Sequence, residues 1–561
     1  MGVPGLWDIL RPSGQTRSLT ELAVVEGFEA NKSGLRGFRI GIDASIWFFH
    51  AEYGKEGENP ELRTLFFRCA TLMHAPFLPL FVFDGPKRPD FKRGKRISKS
   101  NNALVNGMKA IIEAFGYEWR MAPAEAEAEL AYLNRIGLID GILSDDVDNF
   151  LFGALTVIRN QSNTLSGNRS NPVLNAEGKD DKQHTKIYRL QDIQSHEDIG
   201  LTRGGMILIG LMRGGDYHQE GVVGCGPVIA HGLARCGFGD QLCGAANRLS
   251  RDELPAFLDN WRHALREELR TNARGFVGRK HTKLAASISD AFPDINVLLS
   301  YTHPITTESM GRTQNNLKLT WSRDPDLTRL ARICEQFFEW GFKELIIKRF
   351  RTIIWPGTVL RVLRRGALQQ EKVLSASAAL PQGSPSKIIA RHFSSIKLDS
   401  DDENTELDSA RQFIIKIHST RNHVSTDGIL EYRLEIDPAT FVQVAEAGIT
   451  GDRRPEDQNE WSSDEQEDED EEGGKKKGEK RNPPDPFSHL RVWVPAAMVR
   501  LVEPDIVAKF EAAQERKLAK KAGKTEAGTK ATTAGSDAEN IPLPKPRKKA
   551  TRSKAMPKVS K

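Results

Sequence analysis

The chain has 561 residues, with 80 Lys and Arg against 75 Asp and Glu, a net charge of +5, and 39% hydrophobic against 28% charged residues. That length allows three or four folding units of ordinary size; no apolar run approaches the ~18 to 20 residues that span a bilayer, so no membrane helix is predicted. Cys69, Cys225, Cys236, Cys243 and Cys334 include no CxxC pair, which argues against a disulfide framework or a zinc site.

MGVPGLWDIL has no basic stretch leading into an apolar one, so no secretory leader is expected, and Leu6 stands where a myristoylation pattern wants Ser or Thr. Residues 1 to about 350 alternate short apolar runs with amphipathic stretches, the pattern of an α/β fold. Three of those runs end in acid. FRIGIDAS places Asp43 after a strand-like run, LPLFVFDG does the same with Asp84, and GLIDGILSDDVDNF with Asp145, Asp146 and Asp148. In open parallel sheets ligands collect outside the carboxyl ends of the strands, so three acid-tipped strands predict a shared metal site. One such strand alone is more often a turn or a helix cap.

APAEAEAELAYL places Glu125, Glu127 and Glu129 in a first helical turn behind Pro123, where acids also simply suit the helix dipole. RGGDYHQEGVVGCGPVIAHGLARCG sets Asp216 before a glycine-punctuated turn and an apolar helix; the turn fits either a phosphate-binding loop or a tight helix hairpin. From 350 to 372 the run FRTIIWPGTVLRVLRR is apolar and β-branched, and strand-like runs recur at 413–419 and 429–436. HLRVWVP and a helix-like VEPDIVAKFEAAQERK complete a small β-rich unit, 350–515, divided by insertions near 375–408 and 450–486. The second insertion holds eight acids between Asp464 and Glu472, and residues 516–561 carry fourteen Lys and Arg against three acids. The rest of the chain nets +2, so the small total conceals an acidic insertion and a basic, disordered tail. PKPRKKATRSK (544–554) reads as a nuclear localisation signal or a phosphate-binding arm, against a merely solubilising tail.

Taken together, MGVPGLWDIL, GIDAS, FVFDG, APAEAEAELAYL, SDDVDNFLFG and GGDY followed by GVVGCGP resemble the XPG family of structure-specific nucleases, in order and spacing, over about residues 1 to 345. The resemblance implies a mostly parallel central sheet flanked by helices, with a nuclease domain spread over 1–100, 101–200 and 201–349. The last part includes a helix-two-turn-helix-like DNA-binding element with Gly224 and Gly226. It implies two Mg²⁺ ions, with Mn²⁺ able to substitute, on Asp43, Asp84, Glu125, Glu127, Asp146, Asp148 and Asp216; Asp145 and Glu129 fall beside the motif positions. It also implies Lys92 with Arg93 or Arg96 against the scissile phosphate, and Gly2, Val3 and Arg36 on the DNA. Seven converging carboxylates need such cations, because without them some would keep their protons.

Only Gly85 to Ala124 separates the second acid from the Glu-rich helix, short for the arch of a flap endonuclease. The unit after residue 350 looks like a divided chromodomain, typical of the eukaryotic Holliday-junction resolvases, and there it is expected to contact DNA. Trp355, Phe413, Tyr432 and Trp493 could line a cage in it, although aromatics in a small β-unit are more often core. The resemblance thus implies a nuclear enzyme that is monomeric when free and dimeric on four-way junctions, nicking opposed strands and cutting 5′ flaps. A 5′ flap endonuclease or 5′ exonuclease is the alternative within the family. A non-catalytic junction- or chromatin-binding scaffold is the alternative outside it.

Overall fold

Phe38–Asp43 forms a strand, β2, because β-branched and aromatic side chains enclosed on both faces suit a parallel ladder; Ile40 and Ile42 are fully buried and Phe38 nearly so. The computed structural model describes residues 2–55, 57–89, 91–92, 94–96, 102–159, 172–312, 319–375, 413–453 and 485–530. In it β2 is an interior strand of a seven-stranded sheet. The other six are β1 (Gln15–Ser18), β3 (Phe77–Phe83), β6 (Glu118–Met121), β7 (Gly141–Leu143), β8 (Thr156–Ile158) and β9 (His184–Arg189). Their order is β1-β9-β8-β7-β2-β3-β6; the run from β8 to β6 is parallel, while β9 and β1 add on antiparallel. β4 (Phe91–Lys92) and β5 (Lys95–Arg96) form a separate two-stranded ribbon.

The chain runs outward from β2 through β3 to β6 and then returns to lay β7 on the other side of β2. That reversal opens a crevice at the carboxyl ends of β2 and β7, where open sheets hold ligands. Alternation along β3 divides the core. Leu80 and Val82 join the cluster around Leu130 and Leu133 of the helix Ala126–Arg135, and Phe81 packs oppositely against Trp47 and Tyr117. Burying each such side chain contributes about 1.5 to 3 kcal/mol. Gly41 lets the helix Ala126–Arg135 lie close to β2, since a Cβ there would stand 2.6 Å from Leu130 Cδ2.

The run FRTIIWPGTVLRVLRR, expected to be strand-like, is helical: Lys343–Ile353 and Trp355–Ser375. Trp355, Val359, Leu363 and Ala367 are buried at four-residue spacing. Arg361 and Arg364 are buried too, so the second helix is enclosed nearly all round. Arg364 donates to the carbonyls of Leu35 (2.8 Å) and Trp321 (3.1 Å), and Arg361 lies over the Tyr117 ring, which fastens this helix to the α/β part.

The small β-unit is therefore built from β10 (Ile414–Asn422), β11 (Leu430–Ile436) and β12 (Leu490–Pro495), antiparallel in that order, with the helices Ala439–Glu446 and Ala496–Val502. Its aromatics do not form a cage. Trp355 and Tyr432 are core, Phe413 packs on Phe441, and Trp493 lies under Arg421 and Arg433. Met1–Val507 makes one compact unit and Ala508–Lys561 a second. The helix Pro504–Lys530 runs into the tail expected to be disordered, since its Ala, Lys and Glu content is strongly helix-forming. The acidic run Asp464–Glu472, PKPRKKATRSK and Arg93 lie outside the described residues. Among the described residues no helix is long and apolar enough to cross a membrane.

One polar contact joins β9 to the β10–β11 turn. His184, 2% exposed, sets Nδ1 3.0 Å from Asp181 Oδ2 and Nε2 2.7 Å from Asp427 Oδ1, while Ser18 N donates to Asp427 Oδ2. A carboxylate at each ring nitrogen is satisfied only by the imidazolium. Burial pushes the His184 pKa down, but Asp427 and Asp181 outweigh it and hold it above 6.5. A raised folded-state value makes the contribution full below 6.5 and lost as pH climbs past the raised value. Thermal melts of the wild type and His184→Gln are therefore expected to differ at about pH 6 and to converge by about pH 9. Parallel curves across that range would show an uncharged histidine.

Candidate functional site

The carboxyl ends of the parallel strands deliver the acids. Asp43 closes β2 and caps the helix Ala44–Ala51 by accepting from Ser45 N (2.7 Å). Asp84 follows β3, accepting from Ser45 Oγ (2.9 Å), Ala126 N (2.9 Å) and Arg88 Nη1 (3.1 Å), so it ties the starts of two helices together. Glu125 and Glu127 come from the first turn of the helix after β6. Asp146 and Asp148 follow β7, with Asp146 Oδ1 accepting from Asp148 N (3.0 Å). Asp216 arrives from far along the chain, just after the helix Arg203–Arg213 and the left-handed Gly214.

Lys92 of β4 reaches into this group. Its Nζ lies 2.5 Å from Glu125, 2.6 Å from Glu127 and 3.4 Å from Asp216. Burial disfavours its charge, but Glu127, Glu125 and Asp216 outweigh that and hold the ammonium well above its usual range. The acids respond in the opposite sense. Burial and the neighbouring Asp84 push Asp43 up to about 7; burial raises Asp146. Burial, together with nearby carboxylates, raises Glu127 and Asp148 well above the ordinary range. All seven acids expected at a metal site thus belong to one electrostatic group, and all but the half-buried Asp84 are buried.

Among the described residues no three acids already surround one point as a finished coordination sphere; the Lys92 ammonium stands among them instead. Glu127 Oε2 is buried without a hydrogen-bond partner. An orphaned carboxylate oxygen within an overcharged, oxygen-only donor set fits hard divalent cations.

Gly2 and Val3, expected on DNA, lie against the acids. A Cβ on Gly2 would stand 2.2 Å from Asp148 Oδ1 and 2.4 Å from Asp146 Oδ1, so only glycine permits that approach. Val3 is buried and its N donates to Asp148 Oδ1 (3.0 Å). Arg36 is taken up by Glu371 and the Phe28 carbonyl, a brace onto the helix Trp355–Ser375 rather than a free cation. Arg96 lies in β5 opposite Phe91. Gly224 (φ 82°) and Gly226, which precedes the helix Pro227–Arg235, stand in a turn flanked by the exposed Val223 and Val228; this is the helix-turn-helix element.

Several contributors had no clear signal in the sequence. Tyr217 donates its hydroxyl to Glu125 Oε2, a role that its adjacency to Asp216 could have suggested. Tyr301, 4.9 Å ring to ring from Tyr217, comes from the helix Ile295–Thr302 and had none. Asp145 is buried behind the acids, its carbonyl accepting from Trp7 Nε1 (2.9 Å) and its carboxylate facing Arg159 (3.5 Å). Glu129 is structural, accepting from Thr307 N (2.8 Å) and Thr307 Oγ1 (2.5 Å). Phe49 and Tyr53, at the far end of the helix that Asp43 caps, form an exposed aromatic pair.

A doubly wound sheet with acids gathered at its switch point, a helix-turn-helix element and a lysine among the acids defines a class, and family models agree with it. Residues 116–216 match the XPG I-region, and 413–513 match the Holliday junction resolvase Gen1 C-terminal domain. The chain thus carries an I-region of the XPG family of nucleases together with a Gen1 carboxyl-terminal domain. It is 30% identical over 274 residues to flap endonuclease GEN homolog 1 of Mus musculus, 45% of this chain but 27% of that protein. The match to flap endonuclease 1 of Sulfurisphaera tokodaii is 28% over 262 residues, 39% of this chain and 73% of that one. The matched stretch therefore spans only about a quarter of the mouse relative's length. Among solved structures, the Holliday junction-resolving enzyme GEN1 in complex with product DNA and Mg²⁺ superposes with a TM-score of 0.63 at 27% identity, covering 92% of this chain and all of that one. Human GEN1 in complex with Holliday junction DNA, at 20% identity and a TM-score of 0.51, shares the fold.

Proposed function

We propose that the chain is a Mg²⁺-dependent, structure-specific DNA endonuclease that resolves four-way junctions by nicking opposed strands and also cuts 5′ flaps. The observation that carries this reading is the buried seven-acid group at the sheet's switch point, overcharged without cations and joined by one lysine. Asp43, Asp84, Glu125, Glu127, Asp146, Asp148 and Asp216 would hold two Mg²⁺ ions, or Mn²⁺ in their place. When bound, such a pair supplies a deprotonated water and charge for the leaving oxygen of a phosphodiester. Glu125, held by Tyr217, and Asp43, held by Ser45 N, have their carboxylates oriented before any cation arrives. With cations on those acids, Lys92 would be available to place its ammonium on the scissile phosphate, with Arg93 or Arg96 beside it. The products are a 5′-phosphate and a 3′-hydroxyl.

The turn at Gly224 and Gly226, flanked by the exposed Val223 and Val228, would track a duplex backbone, and the small β-unit, with Arg421, Arg433 and Arg491 on its strands, would contact a further arm. Support comes from relatives named as flap endonucleases and as Holliday junction-resolving enzymes. The protein is read as monomeric when free, dimeric on four-way junctions, and nuclear through 544–554. Incubating the full chain and Mg²⁺ with a four-way junction that cannot migrate, both strands end-labelled, is expected to give paired symmetric nicks. Cleavage of flaps or free 5′ ends alone would assign the flap endonuclease reading instead, and binding without any cleavage would assign the scaffold.

A further inference from the structure

The helix Ala44–Ala51 begins at Asp43 in the acid group and is about 12 Å long. Its far end carries Phe49 and Tyr53, 45% and 65% exposed, with rings 5.6 Å apart at 87°. Two large aromatics left open side by side, one helix length from the acids, make a surface on which a base pair can stack. The loop that follows starts on local bonds, Glu52 N to the Phe48 carbonyl (3.1 Å) and Gly54 N to the Ala51 carbonyl (2.8 Å), but its far end is held by distant groups. Glu58 N donates to Glu339 Oε2 (3.2 Å), and Asn59 Nδ2 to the Phe337 carbonyl (2.9 Å). Gly57 lies so close to Glu339 that a Cβ would stand 2.3 Å from its Oε2.

A further hold comes from the small β-unit, which lies in the carboxyl-terminal part of the compact unit Met1–Val507. Arg453 meets the Glu58 carboxylate with both terminal nitrogens (3.2 and 2.7 Å) and donates Nε to the Glu335 carbonyl (2.6 Å). The Glu335 carboxylate in turn accepts from Thr450 N (2.8 Å), Gly451 N (2.6 Å) and Asp452 N (3.2 Å), which fixes the segment that presents Arg453. A bidentate arginine pair sets direction as well as distance. Glu58 is 40% exposed at its side chain, so the pair contributes little to global stability, and its consequence is where the loop sits.

We infer that Arg453 and Glu58 are positioning residues: through them the small β-unit holds the Phe49–Tyr53 surface in place against the branch of the DNA substrate. The inference rests on the proposed junction-cutting function. Arg453→Ala, Glu58→Gln and the double variant, all in the full chain, test it by two measurements. In the free protein, amide hydrogen exchange in 52–59 is expected to rise roughly fivefold in either single variant, the effect of losing one exposed ion pair. With a fixed four-way junction, KM is expected to rise by a similar factor with kcat and the Mg²⁺ dependence unchanged, and the double variant to be no worse than either single one. Arg453→Lys, which keeps the charge and loses the fork, is expected to fall between wild type and Arg453→Ala. Unchanged exchange in 52–59, or a double variant showing the product of the two single effects, would overturn the inference. A wild type that cuts no branched DNA would sink the proposed function, while the exchange measurement would still decide whether the strap exists.

Discussion

Asp43→Asn is expected to lower Mg²⁺-dependent cleavage well beyond a hundredfold without unfolding the protein. Groups one step removed from a metal, when mutated, typically lose about 10- to 100-fold, and a carboxylate that binds the ion directly loses more. The amide can still accept from Ser45 N, so the cap of the helix Ala44–Ala51 survives. It also removes one negative charge from a crowded, buried group in which Asp84 and Asp146 already repel Asp43. The metal-free variant should consequently melt no lower than the metal-free wild type, and added Mg²⁺ should raise its melting temperature less. Thermal melts with and without Mg²⁺, beside cleavage of a labelled junction, provide the check. Cleavage at the wild-type rate would remove Asp43 from the metal site.

The second large effect belongs to Lys92, and its two parts separate structure from chemistry. Lys92→Met keeps most of the stem but removes the ammonium that bridges Glu125, Glu127 and Asp216. Without cations those acids face one another, and the variant is expected to be less stable by about 3 kcal/mol, as when one partner of a buried ion pair is deleted. Mg²⁺ should restore most of that loss, because cations take over the same oxygens. Cleavage should remain slowed by about a hundredfold at saturating Mg²⁺, since the phosphate then lacks its charged donor. A variant that recovers both stability and full rate in Mg²⁺ would confine Lys92 to balancing the metal-free acids.

Position along the chain accounts for which of these features were legible beforehand. Asp43, Asp84, Asp146 and Asp148 announce themselves because a strand buried on both faces reads as a continuous apolar run, and the acid that ends it stands out. Lys92 was legible only through family resemblance, since a basic run such as GPKRPDFKRGKRISKS is ordinarily a solvated face. The helix Trp355–Ser375 misled because β-branched residues crowd its start, Ile353, Ile354, Thr358, Val359 and Val362, and outweighed the four-residue spacing of Trp355, Val359, Leu363 and Ala367. That Gly2 and Val3 also lie against residues 146 and 148 had no local signal, since nothing nearby in the sequence shows that this stretch folds back onto them.

The order of apolar runs and the acids that end them pointed to the α/β class, the side of the sheet on which the site lies, and four of its seven acids, because those depend on the local periodicity and the parallel-sheet rule. Tertiary structure alone decided the rest. It brought Asp216, Tyr217 and Tyr301 onto acids about 70 to 175 residues away, placed one ammonium where three carboxylates meet, and tied Arg453 to Glu58. Each of those contacts joins partners whose separation along the chain carries no periodic trace, and only the packing of one compact unit brings them within hydrogen-bond reach.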